Sequence, residues 1–379
     1  MRKTEHMEMT IDRDKSIENT KKMIISMIKC YEKSDYSEIE EILKSNMVDW
    51  GFFCEKVIKN KLENLAWIVM SRCSDTEETI PFYIREFFAK LYYLNKEKVI
   101  IFDDTFQKVA MAFEANDISY AVVKGLALEN DLYGNDYVKR ISDIDMIINK
   151  KDSDKVSKIL ASIGLKPARF EYATNTVIEL PREKQLLFKM TGDHLPEHFD
   201  FTGEKVCPFI KVDISTSLDW INKKENSMIV FALKEGTVGV KTGRNHTIKT
   251  LMPAAHFIYM INHFYRHAWS YRFIQRNISI RLCMTNDIYM YWKKHNAEIK
   301  EKINSLVTDK TEKEKIAWVL YYMDRLYGCN ILDELGLKDH VNNLNCAFGK
   351  NDTILKWKGT IEDRVFAYEE KDLMEASEG

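Results

Sequence analysis

The chain has 379 residues, a hydrophobic content of 45%, an aromatic content of 12% and a net charge of −2, from 56 Lys+Arg against 58 Asp+Glu. That length exceeds what one core ordinarily organises, so two or three domains are expected, and the apolar content excludes a disordered chain. Balanced charge supplies no basic field, so no stable nucleic-acid complex is expected.

The seven cysteines are odd in number and include no CxxC pair, which argues against a disulfide framework or a zinc ribbon and reads as reduced thiols. No segment reaches the length of a membrane span, and the polar N-terminus is followed by an apolar run ("MIISMI") too short for a signal sequence. A cytoplasmic protein without a membrane partner is expected.

From residue 15 to about 118 the apolar residues recur at intervals of three and four in "IENTKKMIISMIKCYEK", "FFCEKVIKNKLENLAWIVMSRC" and "YIREFFAKLYYLNKEKVIIFDDTFQKVAMAF", which predicts helices. Pro81 suits the first turn of the third. The texture then shifts to short strands, "SYAVVKG" (119–125) and "DIDMII" (143–148), followed by a capped amphipathic helix in "DSDKVSKILASIGL" (152–165). Further strands are predicted at "QLLFKM" (185–190), "FIKVDIST" (209–216) and "TIKTL" (247–251). After Pro253 the helical period returns. The expected fold class is α+β, with a mixed β-sheet domain at 116–250 between an N-terminal helical region (1–115) and a C-terminal helical domain (251–350), and a polar tail at 351–379.

Asp143 and Asp145 stand two apart among Ile141, Ile144, Met146, Ile147 and Ile148. Residues i and i+2 of a strand share a face, so the two carboxylates repel unless a cation or basic side chain lies between them. Mg²⁺ suits such hard oxygen ligands. From these residues alone a metal site and a structural pair both stand. Asp213, in the apolar "FIKVDIST", is either an aspartate paired with a neighbour such as Lys211 or a third ligand from an adjoining strand. Upstream, Gly125 leaves room for a phosphate to approach backbone amides at a helix start, and Lys124 adds a positive charge. Taken alone, these two residues read more readily as an ordinary strand-to-helix turn with a solvated lysine. No GxxxxGK[ST] or GxGxxG occurs.

"VVKGLAL", "LYG" and "RISDIDMIINKKDSDKVSKILASIGL" together resemble the nucleotidyltransferase superfamily typified by DNA polymerase beta, most closely a bacterial branch described as uncharacterised nucleotidyltransferase. Lys124-Gly125, Tyr133, Arg140-x-x-Asp143-x-Asp145 and Gly164 carry the resemblance, and Asp213 in "KVDIS" matches its third acidic strand. The sequence departs from the wider superfamily at the turn, where Gly-Gly or Gly-Ser is usual. The resemblance implies transfer of a nucleoside monophosphate from an NTP, ATP or GTP, to a hydroxyl or phosphate of a small-molecule or peptide acceptor, as in tailoring of ribosomally made peptides and antibiotics. It implies two Mg²⁺ ions, with Mn²⁺ an alternative, held by Asp143, Asp145 and Asp213, the last also helping to deprotonate the acceptor. Lys124 and Arg140 would neutralise phosphate charge, and Ser142 would bond a phosphate. Transfer of a sugar phosphate, an inert nucleotide-binding or antitoxin-like module, and a helical scaffold are the competing classes.

In "HFIYMINHFYRHAW", His256, His263 and His267 fall on one helix face. A zinc pair, a polar packed face and a border to the acceptor pocket all fit the spacing. The resemblance favours the last, which makes His263 a candidate substrate-binding residue. His194 and His198 lie in a loop near the presumed site without an assigned role.

Overall fold

In the computed structural model, which describes residues 2–74, 76–171, 173–191, 194–217, 233, 236–350 and 353–375, the chain divides into two units. One comprises Met1–Tyr92, Phe264–Lys294 and Val307–Gly379; the other comprises Tyr93–His263 and His295–Leu306.

The first unit is helical. It holds α1 (Arg2–Lys33), α2 (Ser37–Lys44), α3 (Trp50–Lys59), α4 (Glu63–Arg72), α5 (Thr76–Thr79) and the start of α6 (Phe82–Glu114). The continuous period through 52–73 is broken into α3 and α4. Lys61 takes a positive φ of 56°. Buried Asn60 secures the break, donating from Nδ2 to the Lys56 carbonyl (2.9 Å) and accepting from the Leu282 amide (2.8 Å).

The described part of the segment expected to be a polar tail, residues 353–375, is packed into this unit. Strand β9 (Cys346–Phe348) pairs antiparallel with β10 (Ile354–Lys356), and a short helix covers Ile361–Phe366. Trp357, Arg364 and Glu370 are fully buried. Arg364 Nε lies 3.5 Å from Glu370 Oε2, and its Nη2 donates to Ser279 Oγ at 2.9 Å. The polar residues here answer one another inside the fold, which composition alone does not reveal.

The second unit carries an eight-stranded mixed sheet in the order β4-β3-β5-β6-β2-β1-β8-β7. Its strands are β1 (Tyr120–Val122), β2 (Ile144–Ile148), β3 (Lys166–Glu171), β4 (Thr176–Glu179), β5 (His198–Phe201), β6 (Phe209–Ser215), β7 (Thr237–Lys241) and β8 (Thr247–Leu251). The β2–β6 and β1–β8 pairs are parallel and the others antiparallel. β2 is buried at every position, as its unbroken apolar run requires of a central strand. Helices α7 (Gly125–Leu132) and α8 (Ser153–Ser162) follow β1 and β2. Val122, Ile144, Met146, Val156, Leu160, Ile210 and Val212 share one core with Phe102, Phe106 and Phe113 of α6. The α+β expectation of a central mixed sheet flanked by helices holds.

The strand expected at 185–190 is instead α9 (Arg182–Thr191), in which Leu186, Leu187 and Phe188 are exposed. "REKQLLFKM" is built of straight-chain residues that lose little freedom in a helix, and Pro181 stands just before its first turn. Helix α10 (Pro253–Trp269) follows β8, and α12 (Leu282–Leu306) comes after the short α11 (Tyr271–Gln275).

Candidate active site

Asp145 on β2 and Asp213 on β6 are direct register partners across the parallel pair. Asp143 stands one residue before β2 and shares the face of Asp145 through the two-residue alternation. Oxygens of the three carboxylates all lie within 4.8 Å of one another, and among the described residues no other cluster of His, Cys, Asp or Glu has metal-holding geometry. Asp145 is buried, and Asp143 and Asp213 are partly exposed. The sheet thus presents three hard oxygen donors with one open side, a donor set that fits Mg²⁺ or Mn²⁺.

Basic side chains meet two of the three. Lys124 Nζ lies 2.6 Å from Asp145 Oδ1, and Lys211 Nζ lies 3.1 Å from Asp143 Oδ2 and 3.0 Å from Glu197 Oε1. Lys211 therefore serves Asp143 and Glu197 rather than pairing with Asp213. Asp213 faces His194 Nε2 at 4.0 Å, and that nitrogen is 3.0 Å from Ser215 Oγ. Four carboxylates here face two ammonium groups, so acidic groups outnumber basic ones among these side chains.

The electrostatics follow from burial and crowding. Burial pushes Asp145 up to about 7 against the pull of Lys124, with Asp143 and Asp213 adding to the rise. Lys124 pays desolvation, yet Asp145, Tyr259 and Asp143 outweigh it and hold the ammonium above its ordinary range. For Lys211, Asp143 and Glu197 likewise overcome burial.

The turn before α7 differs from its sequence reading. Lys124, not Gly125, takes the positive φ, at φ 57° and ψ −151°. A Cβ on Gly125 would meet the Asp143 carbonyl at 3.5 Å, an ordinary contact, so packing within the chain does not demand glycine there. His256 on α10 supports this turn. Its Nε2 is 3.5 Å from the Lys124 amide, and its Nδ1 is 3.1 Å from Thr250 Oγ1, whose hydroxyl donates to the Val122 carbonyl at 2.8 Å. These partners assign the Nδ1–H tautomer. Burial lowers the His256 pKa to about 3, so the ring is neutral.

The remaining candidates are placed as follows. Ser142 donates to Asp143 Oδ1 at 3.1 Å. Arg140 is exposed in the loop leading to β2. That loop is anchored by buried Glu129, whose carboxylate accepts from the Val138 amide (3.2 Å) and the Lys139 amide (2.6 Å), while Asn95 Nδ2 donates to the Tyr137 and Lys139 carbonyls. His263 lies one turn beyond Tyr259, its ring stacked on the tyrosine at 6.4 Å between centroids. His267 stacks on Phe273 at 4.0 Å. His256 links this helix to the site through the Lys124 turn. Sequence reasoning misses Tyr259 and Glu197, puts His194 near the site without a role, and offers Lys211 only as a partner of Asp213. Lys211 was readable, since residues 211 and 213 share a strand face.

No curated protein gives a significant match to the chain. The sequence pattern of one family, described as uncharacterised nucleotidyltransferase, matches residues 46–328, a span that takes in β1, the Lys124 turn and all three aspartates. The chain belongs to that nucleotidyltransferase family.

Proposed function

We propose that the protein transfers a nucleoside monophosphate from ATP or GTP to a hydroxyl or phosphate of a small-molecule or peptide acceptor, releasing pyrophosphate. The single observation that carries the reading is the convergence of Asp143, Asp145 and Asp213 from paired parallel strands, beside a turn that leads into a helix. Mg²⁺ held by these carboxylates would supply Lewis-acid stabilisation of charge on the phosphoryl oxygens. Asp213, partly exposed, is assigned the acceptor's proton. Ser142 and Arg140, in the loop before β2, are assigned to the phosphates, and Glu129 fixes that loop. Positioning and charge stabilisation supply most of the acceleration in such transfers. His263 is assigned to the acceptor side.

The test is Mg²⁺-dependent pyrophosphate release with each NTP and a pool of candidate acceptors. Turnover that disappears in Asp143→Asn and Asp145→Asn is expected; unchanged turnover in both refutes the assignment. A second reading, a nucleotide-binding module without turnover, is favoured by the ion pairs of Lys124 and Lys211 with two of the three aspartates. Metal-dependent NTP binding with no pyrophosphate release from any acceptor would select it.

A further inference from the structure

Past the three aspartates, the second unit holds a cavity of about 200 Å³. It opens beyond the C-terminal ends of β2 and β6. Lys150 and Lys151 line it shortly after Ile148, where β2 ends, and Thr216 lines it directly after Ser215, where β6 ends. These two strands are parallel, so both finish on the same side of the sheet. The crevice outside the carboxyl ends of parallel strands is where open sheets take their ligands.

One wall of the cavity is shared with the aspartate cluster. His194 lines it, and the same ring has Nε2 4.0 Å from Asp213 Oδ1 and 3.0 Å from Ser215 Oγ. The sheet holds that wall in place, since His194 bridges to Ser215 and the Leu195 amide donates to the Ile214 carbonyl at 2.9 Å. The cavity therefore adjoins Asp213, the carboxylate assigned the acceptor's proton, whereas Lys124 meets Asp145 on the other strand of the pair.

Size and lining decide what fits. Pockets for whole small-molecule ligands run to about 300–1,000 Å³, so this smaller one receives part of a molecule and is too small for a nucleoside triphosphate. Lys150 and Lys151 bring two ammonium groups against the one carboxylate of Asp154. Both lysines are exposed, and neither is in an ion pair among the described residues. Phe188 of α9 and Leu195 supply an apolar side. A lining with excess positive charge beside an aromatic ring fits an organic anion; a metal cation or a purely apolar ligand would leave the ammonium groups unanswered.

We infer that this cavity is the acceptor subsite and that the acceptor is an organic anion, its phosphate or carboxylate received by Lys150 and Lys151 and its carbon skeleton lying against Phe188 and Leu195. The reacting oxygen then extends past His194 toward Asp213. That oxygen bonds to the α-phosphorus, the bond from this phosphorus to the bridging oxygen breaks, pyrophosphate leaves with the electron pair, and the acceptor's proton goes to Asp213. This inference rests on the nucleotidyl-transfer reading above and narrows its acceptor class.

Titration calorimetry on the full chain tests it with phenyl phosphate, benzoate and benzyl alcohol, probes that carry a similar ring with a phosphate, a carboxylate or no charge. Mg²⁺ and saturating α,β-methylene ATP or GTP are present, so that the nucleotide's own site is filled. The wild type binds one of the two anions about tenfold or more tightly than benzyl alcohol, and the tighter anion identifies the group received. Replacing both lysines, Lys150→Gln with Lys151→Gln, removes that preference without loss of the fold, because both side chains are exposed. Phe188→Ala weakens all three probes alike. An anion preference that survives the double replacement, no binding of either anion, or anion binding seen only without nucleotide overturns the acceptor subsite and leaves the nucleotidyl-transfer reading intact. No uptake of either nucleotide analogue with Mg²⁺ overturns that reading together with this inference.

Discussion

Replacing Asp213 with asparagine separates catalysis from stability. The Asp213 carboxylate lies within 4.8 Å of both Asp143 and Asp145, and among the described residues no lysine contacts it directly as Lys124 and Lys211 contact the other two. At that distance each repulsion is worth about 3 kcal/mol at an effective dielectric near 20 and about 1 kcal/mol in water. Partial exposure of Asp213 and its attraction to Lys211 offset most of this. The net relief in Asp213→Asn is about 1 kcal/mol, or about 2 °C in Tm for a unit of this size. Nucleotidyl transfer, which needs the third oxygen donor, falls by about 10³-fold or more. Thermal denaturation without metal and a pyrophosphate-release assay measure the two quantities on the same preparation. A variant destabilised by more than about 1 kcal/mol, or one keeping more than about a tenth of the turnover, refutes the picture of repelling carboxylates held for chemistry.

Three further outcomes follow from the geometry. Arg364→Met leaves Glu370 buried without its charge partner and lowers stability by about 3–5 kcal/mol in urea denaturation, and Arg364→Met with Glu370→Leu recovers most of it; a cost under about 1 kcal/mol contradicts the buried pair. Glu129→Ala orphans the Val138 and Lys139 amides, costs about 2–4 kcal/mol and raises the nucleotide KM, whereas wild-type stability and KM would detach the 134–142 loop from Glu129. Acid weakens the fold through His256. Burial puts its folded pKa at about 3, below an unfolded value near 6.5, so the unfolded chain binds the extra proton first. The contribution is complete above pH 6.5 and falls by about 2 kcal/mol by pH 5, a limb that flattens in His256→Gln; an equal slope in that variant would show that His256 is not its source.

What the sequence reveals here depends on whether the signal is local. The apolar run around Asp143 and Asp145 marks a buried central strand, and the alternation in "FIKVDIST" marks its neighbour, because period and burial are written into consecutive residues. That Asp145 and Asp213 are register partners is a long-range fact, fixed by parallel pairing across 68 positions and legible only through family resemblance. The apolar cluster Leu186–Phe188 looks like a strand because periodicity cannot separate a short apolar run from an exposed helix face. In the segment from 351 onward the charged residues conceal a buried pair, since Arg364 and Glu370 neutralise each other only in three dimensions. Lys124 reads from sequence as a free charge beside a glycine turn; its positive φ and its contact with Asp145 come from packing against His256 and Tyr259.

Anomalous diffraction from crystals grown with Mn²⁺ and a non-hydrolysable nucleoside triphosphate tests the central claim most directly. The account predicts a manganese peak within about 2.0–2.3 Å of carboxylate oxygens from the Asp143, Asp145 and Asp213 cluster and of a phosphate oxygen. Manganese bound elsewhere, or nucleotide bound with no metal at the three aspartates, would contradict it.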